Sequence, residues 1–145
     1  MLKVINGDLL DVTKGVIIHQ VNCKKVMGGG VALSIRNKYP QHYKDYMEAE
    51  QKLGNLVVTD LGDLIIIGMF SQFNYGRLKY MVYTDYEAFR ECLNKIKEMK
   101  DQYPELEFYM PFGIGCGLAN GNWHIISSLI EEVCPFVTLV NYSKG

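Results

Sequence analysis

The sequence predicts an α/β fold, a three-layer α/β/α sandwich around a largely parallel or mixed sheet, from three observations. Segments of β-branched and aliphatic residues alternate with segments whose apolar residues recur at three- and four-residue steps. One strand-like segment, Gly15–Asn22, is apolar almost throughout (Val16, Ile17, Ile18, Val21), as a strand covered on both faces must be. The 145 residues, 48% hydrophobic and 21% charged, suffice for one core and leave no room for a separate cofactor domain, so residues 1–145 read as a single domain.

Taken in order, residues 2–5 read as a short edge strand and Gly15–Asn22 as a central one. After a glycine-rich turn, residues 31–38 start a helix that Pro40 interrupts, because the proline ring has no N–H and clashes with the preceding turn. Residues 41–52 continue as a second helix ending at Gly54, and residues 56–59 and 64–70 are strands about a Gly62-Asp63 turn. Thr84-Asp85-Tyr86-Glu87 has the form of a capping box and predicts a helix after it. Its apolar stripe is Phe89, Leu93 and Ile96, closed by the Lys100 stem before Tyr103-Pro104. Residues 107–110 supply another short strand. Residues 122–133 place Trp123, Ile126, Leu129, Ile130 and Val133 on one helix face, and residues 136–140 close the chain as a β-branched strand.

Fifteen Lys and Arg against sixteen Asp and Glu leave a formal net charge of −1, so no general attraction to nucleic-acid phosphates is expected, although local readout of a nucleotide stays open. The longest apolar run, residues 64–70, is far below the ~20 residues a membrane span needs. The amino terminus meets Lys3, Asn6 and Asp8 too soon to read as a signal peptide, and cytoplasmic placement is expected. Cys23, Cys92, Cys116 and Cys134 sit singly, as free thiols would.

Two glycine-rich turns each join a strand to the start of a helix. The first is Met27-Gly28-Gly29-Gly30-Val31-Ala32, after Asn22; the second is Gly113-Ile114-Gly115-Cys116-Gly117-Leu118, after Met110-Pro111. Glycine has no Cβ, so its backbone can approach an anion closely, and a helix start carries free N–H groups with partial positive charge. One such turn serves tight geometry as readily as phosphate binding. Two at one sheet edge predict a diphosphate held between them, because ligands of open α/β sheets lie beyond the carboxyl ends of the strands. No Lys-Ser/Thr follows the glycines and no Gly-x-Gly-x-x-Gly is present, so neither ATP hydrolysis nor a redox cofactor is expected.

Asp8, on the turn after the first strand, reads either as an Asx-type turn or as acceptor for an adenine amino group. His19 lies in an apolar strand, where a hydrogen-bonded structural role competes with a catalytic one. Asn22 reads as a turn residue or as a partner for a ribose hydroxyl. His42 and His124 have no ligand partners at metal spacing, so no metal site is expected. Cys116 reads as a small apolar filler, since no charged base adjoins it in sequence. Phe112 and Tyr142 read as candidates for lining a base or ribose, with core packing the stronger reading for Phe112.

As a set, Asn6-Gly7-Asp8-Leu9, the run Val16-Ile17-Ile18-His19-Gln20-Val21-Asn22, Gly28-Gly29-Gly30-Val31-Ala32, and Pro111-Phe112-Gly113-Ile114-Gly115-Cys116-Gly117-Leu118 with Trp123 downstream resemble a macrodomain over nearly the whole chain. Macrodomains bind ADP-ribose. The Gly-Cys-Gly-Leu loop is most similar to the branch holding terminal ADP-ribose glycohydrolases and ADP-ribose-1''-phosphate phosphatases. By position the resemblance implies adenine on Asp8 with Leu9 packing nearby, the distal ribose near Asn22, and the diphosphate between the two glycine loops. Val21, Ser71 and Pro111 are counted with the ligand site.

The glycohydrolase members use a lysine at the end of a middle strand and an aspartate directly after Gly-Cys-Gly-Leu. Here Phe70-Ser71-Gln72 and Ala119 stand at those places, with Lys79 further on. A mechanism needing an amine to attack the ribose and a carboxylate to move a proton is therefore not expected. The Gly-Gly-Gly-Val-Ala turn and the Ile-His-Gln-Val-Asn-Cys run look more like the phosphatase members. The expected function is a hydrolase that binds ADP-ribose and converts ADP-ribose-1''-phosphate to ADP-ribose and phosphate, with no cofactor and no metal. His19 and Asn22 are its expected catalytic residues, His19 assisting proton transfer or orienting the water. Two other readings stand: a non-catalytic reader of ADP-ribose or ADP-ribosylated targets, and a hydrolase freeing ADP-ribose from protein or nucleic acid by substrate-assisted chemistry.

Overall fold

The structure, a computed structural model, describes residues 1–142. Strands β1 (Lys3–Gly7), β2 (Gly15–Asn22), β3 (Leu56–Asp60), β4 (Leu64–Gln72), β5 (Phe108–Pro111) and β6 (Thr138–Tyr142) form one sheet in the order β1-β6-β5-β2-β4-β3. The neighbours run parallel, except that β3 is antiparallel to β4. The apolar run Gly15–Asn22 takes an interior position between β5 and β4.

Alternate residues of β2 point into two different cores. Val16 and Ile18 pack with Phe89, Leu93, Ile126 and Ile130 from helices α3 (Tyr86–Gln102) and α4 (Trp123–Val133). On the other face Ile17 packs with Ile35 of α1 (Gly30–Lys38), and Val21 with Tyr46 of α2 (Pro40–Glu48). Helices on both faces of the sheet make the three-layer sandwich. Because the strand carrying these side chains is covered twice, its residues are apolar in series rather than in alternation.

Of the boundaries that differ from the sequence reading, four have a clear local reason. Pro40 begins α2 rather than interrupting a helix; at the first position its missing N–H costs no hydrogen bond. The second helix stops at Glu48, not residue 52, because Ala49 turns extended, its N–H closing the last turn onto Tyr46 O, and Gln51 Nε2 donates to the carbonyls of Tyr46 and Ala49. The α3 cap is Asp85 instead of Thr84: its carboxylate accepts the Ala88 N–H at 2.9 Å. The last strand begins at Thr138, since the Val137 N–H still closes a turn onto Cys134 O. Among the described residues no helix is long and apolar enough to cross a membrane.

Candidate functional site

With β2, β4 and β5 parallel, their carboxyl ends share one edge of the sheet, and the loops that leave them meet there. The loops surround a cavity of about 520 Å³. Gly28, Gly29, Gly30, Val31 and Ala32 form one wall; Gly113, Ile114, Gly115, Gly117 and Leu118 form the facing one. The two glycine loops, roughly eighty residues apart in the chain, therefore bound one space.

Both walls present backbone donors. Gly29 occupies the N-cap of α1 and offers no side chain to close it. The N–H groups of Gly30, Val31 and Ala32 make no hydrogen bond among the described residues, as the first turn of an uncapped helix leaves them. In the second loop the amides of Ile114, Cys116 and Gly121 close internal turns, while those of Gly113, Gly115 and Gly117 have no partner among the described residues. Gly113 and Gly115 sit at φ +78° and +77°, the left-handed geometry that gathers successive amides into an anion-binding concavity.

A third wall was not foreseen from sequence. The segment after β4 brings Tyr75, Gly76 and Arg77 to the cavity, and Arg77 is the one charged side chain among the lining residues. The signal was present: an arginine beside glycine and tyrosine directly after a parallel strand. The loops that form the rim, residues 23–29, 73–84 and 112–122, contain Lys24, Lys25, Arg77 and Lys79 and no carboxylate at all.

Gln20, also missed, holds the second glycine loop in place. Its Nε2 donates to Gln72 Oε1 at 3.1 Å and Thr84 Oγ1 at 3.0 Å, and its Oε1 accepts the Ser71 hydroxyl at 2.7 Å. Thr84 in turn donates to Gly115 O at 2.8 Å. Ser71 joins this network because the β2–β4 register breaks after Val21, where Asn22 pairs with Gln72 and Ser71 is the extra residue. Gly115 fits so closely that a Cβ would lie 3.0 Å from Ile126 Cδ1 and 3.1 Å from Thr84 Oγ1.

The remaining site residues from the sequence divide between the wall and the scaffold. Val21 and Pro111 line the cavity, and so does Phe112: expected in the core, it is 43% exposed with its ring centroid 4.8 Å from that of Trp123. Met27, Ser71 and Leu9 are buried; Met27 packs with Tyr46 and Phe70, and Leu9 with Ile17 and Ile66. Cys116 is half-buried, its S–H donating to Ile114 O, and burial pushes its thiol pKa up, away from a nucleophilic thiolate. Asp8 lies past the carboxyl end of β1, outside the cavity wall, where its carboxylate caps a short 3-10 turn by accepting the Leu10 N–H. Tyr142, at the end of β6, is exposed; Lys79 is exposed and off the wall.

His19 and Asn22, the expected catalytic residues, both line the cavity with very little surface, and their side chains are engaged mainly with other residues of the chain. Asn22 is 7% exposed. Its Nδ2 donates to Val26 O, and its Oδ1 accepts from the Lys24 N–H and the Tyr46 hydroxyl, so the amide holds the turn after β2. His19 is 1% exposed, with Nε2 2.8 Å from His42 Nε2. Thr59 donates its hydroxyl to Asp45 Oδ2, so Thr59 Oγ1 accepts from His42 Nδ1; His42 Nε2 is then the acceptor, and His19 Nε2–H the donor. His19 Nδ1 is buried without a partner. Burial, reinforced by His42, holds the His19 pKa well below the ordinary value, and burial brings that of His42 down to about 4, so both rings are neutral near pH 7. Among the described residues no three His, Cys, Asp or Glu side chains are grouped to hold a metal ion.

No family model matches the chain. A DNA ADP-ribosyl glycohydrolase of Thermus aquaticus is 27% identical over 142 residues, which cover 91% of this chain and 37% of that protein, so the chain spans little more than a third of its length. An ADP-ribose 1''-phosphate phosphatase of Saccharomyces cerevisiae is 26% identical over 81% of this chain and 82% of that protein. Among solved structures, the macrodomain of Thermus aquaticus DarG superposes with a TM-score of 0.79 at 23% identity, covering 99% of this chain and 98% of that one. The chain has the macrodomain fold, and its resemblance to macrodomain proteins extends to relatives that are hydrolases.

Proposed function

We propose that this macrodomain-fold chain binds ADP-ribose between its two glycine loops and hydrolyses the phosphate from ADP-ribose-1''-phosphate. The observation that carries the reading is the convergence of two sets of unpaired backbone amides on one cavity whose lining residues include no carboxylate. Such a site takes a diphosphate from both sides without repelling it. In this pose the adenine end extends along the sheet edge toward Asp8, and the distal ribose lies by the wall near Gln72, Ala119 and Arg77.

Phosphate, rather than glycosyl, chemistry is favoured by what stands on the wall. Gln72 and Ala119 line the cavity where a lysine and an aspartate would be needed to attack and protonate at the ribose. Arg77 supplies a cation that suits a terminal phosphate. In the step we propose, a water oxygen bonds to phosphorus as the bond between phosphorus and the C1'' oxygen breaks. The water's protons end on the departing sugar oxygen and on the phosphate. The chain's part is orientation and stabilisation of the charge on the phosphoryl oxygens by Arg77 and the loop amides, without a side-chain base. The relative from Saccharomyces cerevisiae supports the same reading.

The test is release of inorganic phosphate from ADP-ribose-1''-phosphate, with calorimetry against ADP-ribose alongside. Turnover in the wild type that drops at least tenfold in Arg77→Ala, with ADP-ribose still bound, is the expected result. Tight ADP-ribose binding with no phosphate release would make the chain a reader. Absence of ADP-ribose binding would overturn the reading altogether.

A further inference from the structure

We infer that Asn120 is a positioning residue that sets the preference of this site for a terminal phosphate, acting through Arg77. This rests on the reading above, in which Arg77 meets that phosphate.

Arg77 is exposed and forms no salt bridge among the described residues, so no ion pair ties its guanidinium down. Where that group reaches is decided by the backbone that carries it, the strap of residues 73–84 between β4 and α3. The strap is folded around Tyr83: the Leu78 N–H donates to the Tyr83 hydroxyl at 3.4 Å, and a Cβ on Gly76 would overlap that same hydroxyl. Its far end is tied to the second glycine loop, where the N–H groups of Tyr83 and Thr84 donate to Ala119 O at 2.8 and 3.3 Å. Its middle is held by one side chain. Asn120 Nδ2 donates to Leu78 O and to Met81 O, each at 2.9 Å, and Leu78 directly follows Arg77.

The residue type suits the task. A primary amide carries two donors on one nitrogen, so a single short side chain closes both carbonyls. Asn120 stands at φ +57°, in the left-handed region that asparagine tolerates better than most residues with a side chain. Ala119 beside it lines the cavity, so the short run that ends the second wall also fastens the strap. Without Asn120 the strap keeps its ends and loses the tie next to Arg77. The spacing from the loop amides to the guanidinium then slackens, and that spacing is what tells a ligand with a terminal phosphate from one without, because the arginine fork rewards one geometry.

Asn120→Gly keeps the left-handed backbone and removes the amide; Asn120→Asp keeps the shape and sets a carboxylate against two carbonyl oxygens. In both, kcat/KM for phosphate release from ADP-ribose-1''-phosphate is expected to fall about ten- to hundred-fold, while ADP-ribose affinity by calorimetry stays near that of the wild type. In an Arg77→Ala background Asn120→Gly should cost little more, since the group it positions is gone. An asparagine that only folds the loop would weaken ADP-ribose and turnover alike and add its loss to that of Arg77→Ala. Either result overturns the inference, as does wild-type turnover in either variant. No ADP-ribose binding by the wild type overturns the proposed function and the inference with it. A wild type that binds ADP-ribose without releasing phosphate overturns the phosphatase step alone, and calorimetry then decides on Asn120. Tighter binding of ADP-ribose-1''-phosphate than of ADP-ribose, lost in Asn120→Gly, supports the inference; a difference that is absent or unchanged overturns it.

Discussion

Gly29 and Leu118 meet at the mouth of the cavity, so closely that a Cβ on Gly29 would sit 3.1 Å from Leu118 Cδ1. One belongs to the loop after β2 and the other to the loop after β5, and their contact is where the two glycine-rich walls touch.

Gly29 is extended, so a side chain there meets no backbone strain and its effect is steric. Gly29→Ile should weaken ADP-ribose at least tenfold by calorimetry while thermal stability stays close to wild type. Leu118 is half-exposed and free to be trimmed. Adding Leu118→Ala should return part of the lost affinity, giving a non-zero coupling in the double-mutant cycle; strictly additive losses would mean that the walls act separately.

Removing Gln20 tests the brace under the second loop. Gln20→Ala leaves the fully buried Ser71 hydroxyl and the Thr84 hydroxyl short of partners, which costs about 1–3 kcal/mol in a urea titration. Because Thr84 also holds Gly115, the same variant should bind ADP-ribose more weakly than a core variant of equal stability loss. Affinity equal to that control would assign Gln20 to the core alone.

The buried His19–His42 pair makes stability depend on pH. Both folded-state pKa values lie below the unfolded value of about 6.5, that of His42 at about 4, so the unfolded chain binds more protons in between. Stability is therefore fully present above pH 6.5 and is lost as pH falls from there toward 4. Denaturation midpoints at pH 7, 6 and 5 should fall in that order, over a range where carboxylates have barely begun to protonate. A flat profile from 7 to 5 would contradict the assignment of two neutral buried rings.

A variant at Asp8 tests the adenine pose. Asp8→Ala should lower stability by about 0.5–2 kcal/mol through loss of its cap on the Leu10 N–H. If adenine also reaches it, ADP-ribose affinity falls by about 1–3 kcal/mol, whereas ribose-5-phosphate, which lacks the base, is held as before. Unchanged ADP-ribose affinity would place adenine against another part of the edge.

Much of the fold was legible in the chain because it depends on local pattern. The uninterrupted apolar run of β2 announces a strand covered on both faces, and the three-to-four spacing of Phe89, Leu93 and Ile96 announces a helix stripe. Boundaries were less legible where a side chain from a neighbouring turn intervenes. Gln51 ends α2 by capping its carbonyls, and Thr84, taken for a helix cap, serves Gly115 from another element, leaving the cap to Asp85.

Residue types by themselves determined that two glycine turns follow strands, and the resemblance determined which positions lack a lysine and an aspartate, since each of these is a property of short stretches. Only the tertiary structure decided that the turns share one cavity, that Arg77 joins them, and that His19 and Asn22 turn inward to partners 23 and 24 residues away, His42 and Tyr46. Strand order and side-chain pairing across elements come from packing, in which distant residues compete for the same buried space, and no local pattern records the outcome of that competition.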